Sequence, residues 1–163
     1  TLPSTITHVG EGAFTKSGVY ENSNYWSKGI MYINNCLITI RDLVSDKITI
    51  RNGTRLIAED AFYDCSSVTD ITIPGGVTSI EKNAFWKCSA LTSVTIQSGV
   101  KSIGEGAFYG CQTLKSVTLS SGVKSIGDYA FGNCYSLTSV TIPKSVTSIG
   151  ESAFPNHTRI IQK

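Results

Sequence analysis

The sequence predicts a leucine-rich-repeat solenoid, a mostly β fold with short 3₁₀ turns that coils as a right-handed superhelix of about seven 23-residue turns. Three observations predict this fold. An Ala-Phe pair recurs every 23 residues, a cysteine recurs at the same interval, and each repeat has aliphatic residues spaced as Leu-x-x-Val-x-Leu. The pairs begin at Ala61, Ala84, Ala107, Ala130 and Ala153, and the cysteines are Cys65, Cys88, Cys111 and Cys134.

The aliphatic spacing predicts one short strand in each repeat. In the repeat that contains Leu114, the residues Val117 and Leu119 alternate with Ser116 and Thr118. Successive side chains of a strand point to opposite faces, so the aliphatic residues should face the core and the polar ones solvent. A single turn cannot bury its own apolar face, and stacking on neighbouring turns buries it instead.

The rest of each repeat predicts a second wall and two turns. A short apolar pair, Val100 and Ile103 in one repeat, should line the wall opposite the strand. The Ala-Phe-x-x-Cys segment is too short for an α-helix and predicts a tight or 3₁₀ turn. A recurring glycine suits a turn with positive φ. These glycines are Gly53, Gly76, Gly99 and Gly122, and Ser145 replaces the glycine in the next repeat.

The chain divides into regular and irregular parts of one domain, residues 1–163. Residues 2–14 match part of a repeat, and residues 48–154 are regular repeats. Residues 15–47 predict two degenerate turns with a projecting hairpin, whose turn is Asn34-Asn35. Residues 155–163 predict a C-terminal half repeat, with His157 at the cysteine position and Lys163 where a core valine is expected. We therefore expect the chain to be a segment of a longer protein.

The composition excludes several classes of partner. Charged residues make up 16% of the chain, compared with roughly 25% in soluble domains. The net charge is +2, without a block of Lys or Arg, so the charge pattern does not favour nucleic acid or an anionic membrane. No apolar run approaches the roughly 18 residues that a membrane span needs. We expect a monomer that does not insert into a membrane.

The five cysteines raise the alternatives of disulfides, a zinc site or free thiols. Equivalent residues of stacked strands lie about 4.8 Å apart, whereas the Cβ atoms of a disulfide lie about 3.8 Å apart. Four stacked cysteines would span about 14 Å, too far to hold one tetrahedral zinc ion. The spacing therefore favours a ladder of buried thiols that pack as small hydrophobic groups. Cys36 lies outside this ladder and is the candidate for a reactive thiol.

Two further sets of residues could form a catalytic or a metal site. His157 should stack on Cys134, which suggests a Cys-His dyad, but an end residue that covers the last core layer explains the pair more simply. Glu105, Asp128 and Glu151 repeat at one surface position and could bind calcium, although a solvated edge is the simpler interpretation. We expect no catalytic residue, no metal and no cofactor.

Two repeated surfaces are candidate binding sites. The first is the polar strand face, although the β-propensity of threonine and stacked hydroxyl ladders also explain it. The second is an aromatic stripe formed by the residue after each phenylalanine. Exposed aligned aromatics suit sugar rings or a protein hot spot, and the alternative is rim packing over the phenylalanines. The strand-face residues are Ser93, Thr95, Gln97, Ser116 and Thr118, and the stripe is Tyr63, Trp86 and Tyr109, with Tyr129 and Tyr135 nearby.

The repeat resembles the BspA-like, Treponema pallidum-type class of leucine-rich repeats. The shared phrase stands as Val123-Lys124-Ser125-Ile126-Gly127, Ala130-Phe131, Cys134, Leu137 and Ser139-Val140-Thr141-Ile142. The resemblance covers residues 48–161 closely and residues 2–14 in part, and residues 29–33 look like a variant segment of this family.

That resemblance implies a non-catalytic module that is extracellular or attached to a bacterial cell surface. Its partner would be a host or cell-surface protein, or a glycan, and its role would be adhesion or recognition. The alternative is a structural spacer within a larger surface protein. The resemblance implies no catalytic residues.

Overall fold

The computed structural model describes residues 6–10, 12–14, 17–41 and 45–163. These residues form a mostly β solenoid, as the repeat predicts, but with about five stacked turns instead of about seven. The difference arises at the N-terminal end. There, residues 18–40 form two short helical segments and an antiparallel meander in place of regular turns.

The secondary structure elements include the strands of two sheets, between which the chain alternates from Cys36 onward. In chain order they are α1 (Gly18–Glu21), a 3₁₀ helix (Ser23–Tyr25), β1 (Trp26–Ser27), β2 (Ile30–Ile33), β3 (Cys36–Ile40), β4 (Lys47–Thr49), β5 (Leu56–Ile57), β6 (Asp70–Ile73), β7 (Ser79–Ile80), β8 (Ser93–Ile96), β9 (Ser102–Ile103), β10 (Ser116–Leu119), β11 (Ser125–Ile126), β12 (Ser139–Ile142), β13 (Ser148–Ile149) and β14 (Arg159–Gln162).

The first sheet is parallel and has the order β14-β12-β10-β8-β6-β4. Its register follows the repeat, so that Val94 pairs with Val117 and Thr95 pairs with Thr118. In β10 and β12 exposed and buried residues alternate strictly. This pattern confirms the predicted strand and its two faces, because the aliphatic residues point into the core.

The second sheet has the order β1-β2-β3-β5-β7-β9-β11-β13. From β5 onward its strands have two residues each and are parallel, with Ser102 paired to Ser125 and Ile103 paired to Ile126. Val100 and Ile103 are both buried, and both belong to the same hydrophobic core as the first sheet. The prediction of a second apolar wall is therefore confirmed.

The Ala-Phe segments are tight turns, stacked through a third ladder of backbone hydrogen bonds. Within one turn the Ala61 N–H donates to the carbonyl of Ala58, three residues earlier. The next N–H, that of Phe62, donates to Ala84 of the following coil at 2.7 Å. These turns contain residues with positive φ, the left-handed conformation. They are Asp60, Asp64, Asn83, Lys87, Gly106, Gly110, Tyr129, Asn133 and Ser152.

Glycine recurs at one position of the repeat for two different reasons, and only one of them is the predicted positive φ. Gly53 (φ +86°) and Gly122 (φ +137°) do have positive φ. Gly76 and Gly99 do not, so the predicted reason is wrong for them. At Gly99 the cause is a close backbone approach, because an added Cβ would overlap the carbonyl group of Gly75 in the preceding coil.

Phenylalanine rings form the centre of the core. Phe62, Phe85, Phe108 and Phe131 are each 0% exposed. Consecutive rings are stacked, with centroids 4.8 Å apart at Phe85–Phe108 and 5.1 Å apart at Phe108–Phe131. The rings meet because a 23-residue period places identical side chains directly above one another.

The predicted hairpin is present, but it does not project. β2 and β3 are antiparallel, with Ile33 paired to Cys36 across the turn. β3 then pairs in parallel with β5, so the hairpin extends the sheet at its N-terminal end. Met31 and Leu37 are fully buried in the common core. The aliphatic residues on both hairpin strands explain this position, because a projecting hairpin would expose them to water.

Candidate binding surface

The aromatic stripe exists as a stack of three side chains. The rings of Tyr63 and Trp86 are nearly parallel, with centroids 6.5 Å apart. Those of Trp86 and Tyr109 lie 4.1 Å apart at 18°. Tyr63 is 52% exposed, whereas Trp86 and Tyr109 are half-buried. The stripe therefore presents amphipathic rings that are already held in place for contact with a partner.

Part of the stripe packs against the solenoid as well. An added Cβ at Gly106 would lie 2.8 Å from Cζ3 of Trp86, so the indole covers the backbone of the next coil. One edge of Trp86 thus packs on the solenoid rim, over the backbone of Gly106, whereas the alternative placed this packing over the phenylalanines. The two interpretations coexist, because a ring can cover backbone with one edge and meet a ligand with the other.

Tyr109, Tyr129 and Tyr135 are brought together around one cleft, here called the tyrosine cleft. Its volume is about 420 Å³. Tyr129 is 43% exposed and Tyr135 is 59% exposed. The residues that line it are Tyr109, Tyr129, Gly132, Asn133, Tyr135, Ser152, Phe154, Pro155, Asn156 and His157.

Sequence reasoning identified the tyrosines of this cleft but missed Gly132, Asn133 and Pro155. The alignment of the repeats does contain a signal for two of these residues. Gly132 and Pro155 occupy the position after phenylalanine that Tyr63, Trp86 and Tyr109 fill in earlier repeats. Where the stripe loses its large side chain, the surface is open, and that is where the cleft lies.

The strand-face residues lie on the outer side of the first sheet. Thr95, Gln97, Ser116 and Thr118 are exposed and Ser93 is half-buried. Thr95 and Thr118 are paired neighbours in the sheet, which gives the expected threonine ladder. The face is solvated, and none of these five residues lines the tyrosine cleft. It remains a candidate surface.

One carboxylate on this face is held by a neighbouring hydroxyl. Ser93 donates a hydrogen bond to Asp70, and this bond, followed by one from Thr69, lowers the pKa of Asp70 below its ordinary value. The lowered pKa means that the bonds contribute to stability above about pH 4, the ordinary range for aspartate. The contribution is lost as the pH falls through the lowered folded-state pKa.

Replacing Ser93 with alanine is therefore expected to raise the pKa of Asp70 toward its ordinary value. The change removes the largest stabilising contact of the ionised carboxylate. Titration of the Asp70 carboxyl carbon by NMR measures this shift directly. Ser116→Ala, one coil further along, is the matched control and should leave the titration of Asp70 unchanged. An unaltered Asp70 pKa in the Ser93 variant would contradict the assignment.

The repeat cysteines form the predicted ladder of buried thiols. Cys88, Cys111 and Cys134 each donate a hydrogen bond to the carbonyl of the phenylalanine 26 residues earlier, at 3.1–3.2 Å. The neighbouring thiols of Cys134 and Cys88, and then burial, raise the pKa of Cys111 well above its ordinary value. Burial also raises the pKa of Cys36, which is only 5% exposed. The expectation of a reactive Cys36 is therefore not supported, because the reactive form is the thiolate.

All five thiols of the folded protein are expected to react with Ellman's reagent far more slowly than in denaturant. They are buried, and Cys36 and Cys111 also have raised pKa values. Stopped-flow absorbance with and without guanidinium chloride tests this expectation. A thiol that reacts in the folded protein at the rate of free cysteine would show that its coil opens, and peptide mapping would identify it.

The Cys-His pair and the repeated carboxylates do not converge on a common site. His157 is exposed and its Nε2 donates to the carbonyl of Tyr135, whereas the thiol of Cys134 donates to Phe108. Glu105 forms an ion pair with Lys82 at 3.1 Å, and Asp128 accepts the N–H of Glu151. Within the described ranges, no group of three or more potential ligands could hold a metal ion, and no helix could cross a bilayer.

The comparison with protein families gives one match. The model described as a BspA type leucine rich repeat region matches residues 42–161 in six copies. No curated protein is significantly similar in sequence.

Several solved bacterial structures share the fold. A leucine-rich repeat protein from Bacteroides ovatus is 30% identical, with a TM-score of 0.55 over 73% of this chain and 33% of its own. A leucine rich cell surface protein from Faecalibacterium prausnitzii is 27% identical, with a TM-score of 0.50 over 82% of this chain and 52% of its own. The Treponema pallidum leucine rich repeat protein is 22% identical, with a TM-score of 0.53 over 87% of this chain and 64% of its own. The chain thus spans between a third and two thirds of these relatives.

Proposed function

The chain belongs to the BspA-type leucine-rich repeat family, and from this premise we propose that it is a non-catalytic recognition module of a bacterial surface protein. Its partner is a protein or glycan outside the cell, and its role is adhesion. One solved relative is described as a cell surface protein, which supports this location.

The observation that carries the proposal is the aromatic stripe with its adjoining cleft. Three stacked rings of three consecutive coils end at a concave site with two further tyrosines. Recognition surfaces concentrate binding energy in tyrosine and tryptophan side chains that are desolvated on contact. The five candidate residues of the strand face carry hydroxyl and amide side chains, which contribute less per residue.

Surface plasmon resonance of the purified chain against extracellular-matrix proteins and a glycan array tests the proposal. We expect saturable binding that falls about 30-fold in Trp86→Ala, the effect of removing a hot-spot aromatic. Circular dichroism should show that the fold is retained, because Trp86 lies at the rim and the phenylalanine core is untouched.

Thr95→Lys is the control on the other surface and should leave binding unchanged, since Thr95 lies on the exposed strand face. Loss of binding in Thr95→Lys alone would contradict the stripe as the recognition surface. Absence of binding on both panels at tens of micromolar would contradict the recognition module and favour the alternative, a structural spacer within a larger surface protein.

A further inference from the structure

We propose that the tyrosine cleft binds one ring of a neutral saccharide. This inference rests on the proposed recognition function and specifies the ligand class of that same surface. Four features of the cleft carry it: a fixed aromatic wall, unpaired hydroxyl groups, an absence of formal charge, and its size.

Tyr109 supplies the wall. One face of its ring packs on Trp86 at 4.1 Å. The ring also lies against the backbone of Gly132, where an added Cβ would be 2.9 Å from Cδ2 of the tyrosine. Asn133 Nδ2 donates a hydrogen bond to the Tyr109 hydroxyl at 2.6 Å. A ring held by three contacts loses little entropy on binding, and its apolar surface suits the apolar face of a pyranose.

Polar groups on the sides of the cleft are available to a ligand. The hydroxyls of Tyr129 and Tyr135 make no hydrogen bond to any described residue, and both side chains are exposed. Ser152 and Asn156 add a hydroxyl and an amide to the lining. Hydroxyl and amide groups both donate and accept hydrogen bonds, as sugar hydroxyls do, so the two sets are complementary.

The lining carries no carboxylate, ammonium or guanidinium group among the described residues. Its single imidazole, that of His157, is already engaged with the carbonyl of Tyr135 at 3.1 Å. The cleft therefore offers no electrostatic attraction to a phosphate, an acidic peptide or a basic peptide. A purely apolar protein side chain is also disfavoured, because it would desolvate the tyrosine hydroxyls without pairing them. A neutral saccharide satisfies both conditions.

The cleft is large enough to hold a sugar ring. Its volume is about 420 Å³, near the lower end of the roughly 300–1,000 Å³ typical of ligand pockets. The stripe of Tyr63 and Trp86 leads away from it across two coils. Further sugar units of a longer oligosaccharide would lie along these rings.

Isothermal titration with soluble maltohexaose, cellohexaose, chitohexaose and mannohexaose tests the inference. We expect at least one of them to bind, with affinity about tenfold lower in Tyr135→Ala, the effect of losing one aromatic contact and its hydrogen bond. Lys115→Ala is the control, since this exposed side chain belongs neither to the cleft nor to the aromatic stripe and its removal should change the affinity less than about twofold.

Gly132→Ala is a second variant. Its added Cβ would displace the Tyr109 ring, so it should weaken the same saccharide while the circular dichroism spectrum of the repeats is retained. Absence of binding to all four oligosaccharides, or binding that Tyr135→Ala leaves unchanged, would overturn the saccharide site. Binding of a matrix protein that depends on Trp86 would, in that event, leave the recognition module standing, with the aromatic stripe as its surface.

Discussion

Replacing Phe108 with alanine is expected to lower the free energy of unfolding by about 3–5 kcal/mol, the usual cost of removing a buried phenylalanine side chain. Phe108 is 0% exposed and lies between the rings of Phe85 and Phe131, at 4.8 and 5.1 Å. The neighbouring backbone is held in register by three ladders of hydrogen bonds and cannot collapse into the cavity. Guanidinium denaturation followed by circular dichroism measures the change.

Phe154→Ala is the matched control for this experiment. Phe154 has the same position in the repeat, but it is 8% exposed and has one stacked phenylalanine neighbour, Phe131. Its removal should therefore cost clearly less than that of Phe108. A loss of under about 1 kcal/mol for Phe108→Ala would contradict the core, because no buried phenylalanine is so easily replaced.

Replacing Gly99 with alanine is expected to cost about 2–3 kcal/mol, the upper range for overpacking of a rigid site. The added Cβ would lie 2.6 Å from the carbonyl carbon of Gly75 and would overlap its oxygen. Both partners are backbone atoms of adjacent coils, so no side-chain rotation relieves the clash. The midpoint of guanidinium denaturation should fall accordingly.

Gly75→Ala tests whether the close approach or glycine itself is responsible. A Cβ at Gly75 would meet nothing nearer than 3.9 Å, and its φ is not positive. This variant should be neutral or more stable by up to about 1 kcal/mol, because alanine restricts the unfolded chain. Equal effects of the two substitutions would contradict the close contact between the coils.

The regular repeats could be predicted from sequence in detail. The alternation at Val117 and Leu119 predicted a strand and its faces, and the structure has both. The interval between cysteines predicted the thiol ladder, since a constant period places equivalent atoms one strand spacing apart. The left-handed residues of the Ala-Phe turns were missed, although aspartate, asparagine and glycine at Asp60, Asn83 and Gly106 are typical of that conformation.

The candidate site was only partly predictable. The stripe of Tyr63, Trp86 and Tyr109 follows from the period alone, and the structure stacks these rings. The cleft does not follow, because it depends on a missing side chain at Gly132 and on turns from three coils. Its polar groups come from positions that differ between repeats, so no periodic signal marks them.

The repeat length, the strand faces, the phenylalanine core and the thiol ladder all follow from the pattern of the amino-acid sequence. Each of these is a property of one turn that recurs in every stacked turn. The pattern of a single repeat is therefore sufficient to predict it. Tertiary structure alone decided that the N-terminal hairpin joins the sheet, that Gly99 is required by the backbone of Gly75, and that three tyrosines share a cleft. These features depend on distances between neighbouring coils, and a periodic pattern carries no information about such distances.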